Sequence, residues 1–268
     1  DERAANVAVH AAEAGHWVEA LDLAEHVSEE QAGRLADVIA GLDDEILTGL
    51  VDAATAGGLW PDLLPVSRSM SDEARRRFAR VEAIQRPDVL AEMVDATVEL
   101  GLWEELLPLV AELPEGARRE LAAIAGRREG AIPGAVEAAV VHDLWIDLVA
   151  LLPGLDAETQ RLIAGEVAAL GPEPQAALIA AAADGRLWVP LLTIAAQLDA
   201  ATQERMIELL AEADDAVVEE LIRSVDETDG WEQLGELAGG VPSERLERLA
   251  AQAERLGLGE RMAAILAR

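Results

Sequence analysis

The residues best suited by type and spacing to bind something are arginines. Arg76, Arg119 and Arg161 each lie sixteen positions after a tryptophan, at Trp60, Trp103 and Trp145, and Arg75 and Arg118 directly precede the first two. A guanidinium presents a planar fork of donors that grips carboxylates and phosphates through paired hydrogen bonds. Recurrence at one spacing predicts a ridge of three such groups on successive units, spaced about 10 Å apart if the units pack as helices do. Two readings of the ridge stand side by side. In one it lines a concave groove and clamps a carboxylate, an acidic peptide or a phosphate. In the other it is neutralised locally, because Asp72 with Arg76, Glu73 with Arg77 and Glu115 with Arg119 have the spacing of one helical turn.

Other chemistry finds less to work with. The histidines are His10, His16, His26 and His142, and no two have the His-x-x-x-His spacing of a helical zinc site. Acidic pairs such as Asp43-Asp44, Glu104-Glu105, Asp214-Asp215 and Glu219-Glu220 are what an acid-rich chain produces by chance. The run Asp226-Glu227-Thr228-Asp229-Gly230 lacks the spaced oxygen ligands of a calcium loop and its glycine at the sixth position. There is no Gly-x-Ser-x-Gly elbow, and Gly257-Leu258-Gly259 has neither the third glycine nor the preceding strand of a dinucleotide loop. The expectation is no catalytic residue, no metal site and no cofactor.

Composition narrows the field further. All 21 basic residues are arginine, and the chain has no cysteine. Without lysine there is no P-loop, no kinase strand lysine and no Schiff base. Without cysteine there is no thiol nucleophile, thiolate zinc site or disulfide, and the redox compartment is not legible. A formal net charge of −31 repels nucleic acid and anionic membrane and attracts basic partners. A genome-wide habit of arginine for lysine in an alanine- and glutamate-rich proteome gives the same numbers. No window of 18 residues is wholly apolar, so no membrane insertion is expected. The start, Asp1-Glu2-Arg3, has no signal-peptide pattern. The expected location is the cytoplasm.

The elements that would position these residues are set by the tryptophans. They stand at Trp17, Trp60, Trp103, Trp145, Trp188 and Trp231, at intervals of 43, 43, 42, 43 and 43 residues. Such regularity is the signature of an internal repeat. Two positions before the tryptophan comes a turn residue: Gly15, Gly58, Gly101, Asp143 or Asp229. Directly before it comes Leu59, Leu102, Leu144 or Leu187. Apolar pairs follow it by three and four positions, at Leu63-Leu64, Leu106-Leu107, Leu148-Val149 and Leu191-Leu192. Ten positions after it lies Val27, Met70, Leu113, Leu155, Leu198 or Val241. A helix-start residue is next: Ser28, Ser71, Pro114, Asp156, Asp199 or Pro242.

Each unit therefore reads as three helices. Helix A, as in Pro87–Leu100, ends at the turn residue, where glycine suits a left-handed conformation. Helix B is short and starts at the tryptophan. Helix C opens at Ser, Asp or Pro, with Ser28 and Gln31 spaced as a capping box. The predicted fold class is all-α, a right-handed α-solenoid of about six 43-residue repeats. They form a single domain over 1–268, with repeats at roughly 1–42, 43–86, 87–132, 133–172, 173–213 and 214–257 and a final helix at 258–268. Neither end carries a polar cap, which predicts a longer parent chain. The tryptophan should fill the core between repeats, with a ligand-stacking ladder as the alternative.

Three helices in about 43 residues, one of them short, resemble armadillo-type and HEAT-type repeats over nearly the whole chain. That resemblance implies a concave surface formed by helix C. The segments Leu113-Pro114-Glu115-Gly116 and Leu198-Asp199-Ala200 also resemble the helical repeats in the cytosolic N-terminal domain of bacterial magnesium transporters. The expected function is a non-enzymatic scaffold that holds a protein or peptide partner, with Arg75, Arg76, Arg118, Arg119 and Arg161 as candidate partner-binding residues. Two alternatives are kept. One is an anion- or nucleic-acid-binding protein, with or without catalysis, that uses the arginine ridge. The other is a cytosolic regulatory domain that senses divalent cations through its carboxylates.

Overall fold

The computed structural model describes residues 10–11, 14–17, 21, 29–152, 155–184, 187–227, 229–238 and 243–266. Among them 82% are helical and none lies in a strand. The chain packs as two compact units, Asp1–Ala138 and Ala139–Arg268. The first holds α1 (Glu29–Ala40), α2 (Asp44–Gly57), α3 (Trp60–Arg68), α4 (Asp72–Ala79), a short 3₁₀ turn Glu82–Gln85, α5 (Pro87–Leu100), α6 (Trp103–Glu112) and α7 (Glu115–Ala125). Next comes α8 (Ala131–His142). The second unit holds α9 (Trp145–Leu151), α10 (Ala157–Ala169), α11 (Pro172–Asp184), α12 (Trp188–Ala195), α13 (Ala200–Glu212), α14 (Asp215–Glu227), α15 (Trp231–Ala238), α16 (Ser243–Arg255) and α17 (Gly259–Leu266).

One local device recurs at every tryptophan. The residue before it donates its N–H to the carbonyl five positions back, at 2.8–3.1 Å: His16 to Ala11, Leu59 to Ala54, Leu102 to Thr97, Leu144 to Ala139, Leu187 to Ala182 and Gly230 to Val225. This is the long bond of a Schellman motif, and it needs a left-handed residue just before the donor. Gly15, Gly58, Gly101, Asp143 and Asp229 fill that place, with φ of +77°, +68°, +74°, +57° and +57°. The donor's own carbonyl then accepts the first bond of the tryptophan helix, as in Leu63 to Leu59 and Leu106 to Leu102. One residue thus ends helix A and starts helix B. The acceptor positions hold small side chains, and Ala54, Thr97, Ala139, Ala182 and Val225 are all fully buried.

A left-handed residue with a Cβ is strained, and glycine is not. A Cβ on Gly101 would meet no atom within 4 Å, so only its backbone conformation is at stake there. Gly101→Ala should therefore lower stability by about 1 kcal/mol, and Asp143→Gly or Asp229→Gly should raise it by roughly 0.5–1 kcal/mol. Urea denaturation midpoints of the three variants check this; a shift of the same sign in all three would contradict it.

The apolar pairs after the tryptophans are buried as the pattern predicts: Leu63, Leu64, Leu106 and Leu107 are fully covered, and Leu148, Val149, Leu191 and Leu192 nearly so. Met70, Leu113, Leu155 and Leu198 are buried as well. Ser71, Asp156 and Asp199 cap α4, α10 and α13 by accepting from the N–H groups of Ala74, Thr159 and Thr202, at 3.4, 2.8 and 3.1 Å. Those amide donors hold the carboxyls of Asp156 and Asp199 below the usual range. Val27, the Ser28 cap, Val241 and Pro242 lie outside the described residues, as do Ala267 and Arg268 of the expected final helix.

Within each unit, helices of the same kind touch their successors. In the first, α3 packs on α6 and α2 on α5; in the second, α9 packs on α12, α12 on α15, α11 on α14 and α13 on α16. Ion pairs tie steps of this kind at Arg86 to Asp52, 2.8 Å apart, at Arg128 to Asp95 and at Arg261 to Asp226, while Arg248 to Asp215 at 2.6 Å joins α16 to α14 within one repeat.

Candidate functional site

The ridge arginines divide by what they touch. Arg76 is half-exposed, and its Nε lies 3.3 Å from Oε2 of Glu112, at the end of α6. Arg119 pairs with Glu115, one turn back on its own helix. Arg161 donates from Nε to the carbonyl of Ala157 at 3.2 Å and forms no ion pair among the described residues. Of the three local pairs expected from spacing, Glu115–Arg119 is present. Asp72 instead lies 3.6 Å from Arg75, and Arg77 reaches the carbonyl of Leu42 at 2.6 Å, with Asp44 at 4.0 Å.

Arg75 has a task inside the fold. Its Nη2 donates to the carbonyls of Arg68 and Met70 at 3.1 and 3.0 Å, capping the end of α3, and its side chain is mostly buried. Fifteen positions after Trp145 and Trp188, Gln160 and Gln203 do the same. Gln160 donates to Leu152 and Leu155, and Gln203 to Ala195 and Ala196. In these three repeats the place has one job, tying helix C to the frayed carbonyls of helix B, whose last C=O groups have no partner in their own helix. Arg118 holds the corresponding place on α7, and its Nε is buried without a hydrogen-bond partner. The signal in the sequence was a long polar donor at a fixed distance from the tryptophan, which reads equally well as a surface ridge.

A cleft of about 550 Å³ opens beside this arrangement in the first unit, lined by Asp44, Glu73, Arg76, Arg77, Arg80 and Val81. Asp44 opens α2, whose N-cap residue Asp43 makes no side-chain capping bond. Arg80 is exposed, and its guanidinium has no partner among the described residues. A second hollow of about 390 Å³ lies in the other unit, lined by Asp229, Trp231, Glu232, Arg261, Ala264 and Ile265.

Among the described residues no group of three or more His, Asp or Glu is placed to hold a metal ion. No described helix is long and apolar enough to cross a membrane. His10, His16 and His142 are exposed, and His26 lies outside the described residues.

Glu105 is the carboxylate whose setting departs most from solvent. It is buried on α6, its Oε2 has no partner, and Arg68 lies 3.9 Å from its Oε1 while sitting at 2.7 Å from Glu104. Burial, with the charge of Glu104 second, pushes its carboxyl above the ordinary glutamate value. A raised folded-state value means that the neutral form is favoured by folding. This contribution is complete below the unfolded carboxyl range and is lost as pH rises through the raised value. Glu105→Gln should therefore be more stable than the parent at neutral pH, and the margin should close on acidification toward pH ~4. Parallel thermal melts across that range test it; a margin independent of pH would contradict it. Asp156, Asp199 and Asp215 have the opposite sign, since their lowered values give stability that is lost as pH falls.

The arrangement defines an all-helical chain of repeat-like architecture, with its tryptophans at recurring helix corners. No protein-family model matches it, and no curated protein does. A crystal structure described as an engineered protein from a structural genomics consortium aligns over 99% of this chain and 86% of that one, at 20% identity and a TM-score of 0.26, too low to support an argument about fold.

Proposed function

We propose that this chain is a non-enzymatic interaction scaffold, a single right-handed α-solenoid of six 43-residue repeats that holds a protein or peptide partner. The observation that carries the reading is the recurrence of one corner: its long N–H···O=C bond stands at all six tryptophans, and its left-handed residue at five of them. Almost the whole chain is spent on one packing unit, and stacked units present extended surfaces suited to extended partners. The net charge of −31 favours a partner with a basic face. The arginine ridge contributes less to this reading, because Arg76 and Arg119 already hold acids of their own chain and Arg75 caps a helix.

Small-angle X-ray scattering tests the shape. A compact globule of this length has a radius of gyration of about 18 Å, and an extended repeat array must lie clearly above it. Affinity capture from the source lysate, followed by reconstitution from purified components, tests the function. The reading requires a complex of fixed stoichiometry that survives gel filtration. Failure of every captured protein to reconstitute, or recovery of nucleic acid instead, would overturn it.

A further inference from the structure

We propose that the cleft between the start of α2 and helix α4 binds a phosphomonoester dianion. Arg76, Arg77 and Arg80 lie at positions i, i+1 and i+4 of one helical stretch, and all three line the same opening. Asp44, the first residue of α2, lines it too, with its carboxylate 4.0 Å from Arg77. The amide groups of the first turn of α2 lack the side-chain cap that serves α4, α10 and α13. A helix N-terminus carries partial positive charge and free N–H donors, so it adds to the field of the guanidiniums.

The charges already present decide the class of ligand. Three guanidiniums meet two lining carboxylates, Asp44 and Glu73, with Glu112 paired to Arg76 from outside. A ligand carboxylate would bring one charge and would compete with tethered carboxylates of the same chemistry. A phosphomonoester brings nearly two charges at neutral pH and three acceptor oxygens, enough to draw Arg76 and Arg77 from their present partners and to engage Arg80, which has none among the described residues. Polyanions are disfavoured, because the acids beside the cleft and the charge of the whole chain repel everything beyond the first phosphate. The volume of about 550 Å³ exceeds a lone phosphate and leaves room for the group that carries it, against Val81.

Inorganic phosphate at low salt is the first probe, followed by the amide hydrogen and nitrogen shifts of Asp44, Glu45 and Ile46 and the Nε–H signal of Arg80. The expected result is saturable shifts at millimolar phosphate, confined to these groups and weakening as pH falls through the second ionisation of phosphate, where the dianion is lost. Arg80→Gln should cost at least about tenfold in affinity, the scale of one charged hydrogen bond. Glu73→Gln should tighten binding, since a competing carboxylate is gone. A short acetylated peptide carrying phosphoserine distinguishes the source of the group. Tighter binding than inorganic phosphate assigns the site to a phosphorylated protein segment, and equal binding assigns it to a free phosphomonoester. The proposal falls if acetate shifts the same signals as strongly as phosphate, if the shifts do not saturate, or if Arg80→Gln leaves them unchanged. None of these failures would touch the scaffold reading, which does not use the cleft.

Discussion

Replacing Trp188 or Trp145 by alanine should lower stability by about 3–5 kcal/mol, the range for buried large aromatic side chains. Trp188 is fully covered, Trp60 and Trp145 are 1% exposed and Trp103 is 3% exposed. Each ring opens its helix at the corner, so its loss leaves a cavity under a turn that has no slack to close it. Trp231 should cost less, because it is only partly buried and its Nε1 donates to Asp226 at 3.2 Å. Trp17 should also cost less than the middle tryptophans, at 8% exposure. Denaturant unfolding of the single variants measures this directly. Small and equal losses at all sites would mean that the rings are not core and would revive the ligand-stacking ladder.

Gly134→Ala should destabilise the protein by about 1–3 kcal/mol, although alanine is the better helix former by roughly 1 kcal/mol. Gly134 lies inside α8, where propensity alone favours the substitution. A Cβ there would stand 2.6 Å from Nε1 and 2.8 Å from Cδ1 of Trp103, closer than atoms approach. The indole of Trp103 on α6 rests on the bare backbone of α8, and no flexible side-chain end can move aside. The sign of the effect should therefore depend on the ring. In a Trp103→Leu background, Gly134→Ala should become neutral or stabilising. A double-mutant cycle reads the coupling, and simple additivity of the two substitutions would show that the contact is not what decides the cost.

The spacing of six tryptophans was enough to locate the helices, because a corner is a local object. It needs a left-handed residue, a small residue four positions before that, and a large ring after the turn, all within seven positions. Pro87–Leu100 and the starts of five tryptophan helices stand where the pattern puts them. The small residue at Ala54, Thr97, Ala139, Ala182 and Val225 was equally legible and was missed, since alanine is common throughout the chain and small size stands out only once the hydrogen bond onto it is known.

The arginines show the limit of local reading. Glu115–Arg119 follows from helical spacing alone, whereas Arg76 leaves Asp72 for Glu112, thirty-six residues away, and Arg75 turns inward to cap α3. The near acid and the far acid have the same chemistry, so residue type cannot choose between them. The choice belongs to the distance between stacked helices, which also brings Arg86 to Asp52 and Arg128 to Asp95. The sequence by itself determined the repeat period, the helix corners, the apolar core and the absence of lysine and cysteine chemistry. Those depend on residue type and on neighbours within one or two helical turns. Only tertiary structure decided which guanidinium is neutralised, which caps a helix and that Arg80 stands open beside α2. The pairing of Arg76 with Glu112 and the place of Arg80 beside α2 turn on distances of a few ångströms between segments more than thirty residues apart, and the cap made by Arg75 turns on how α4 folds back against α3.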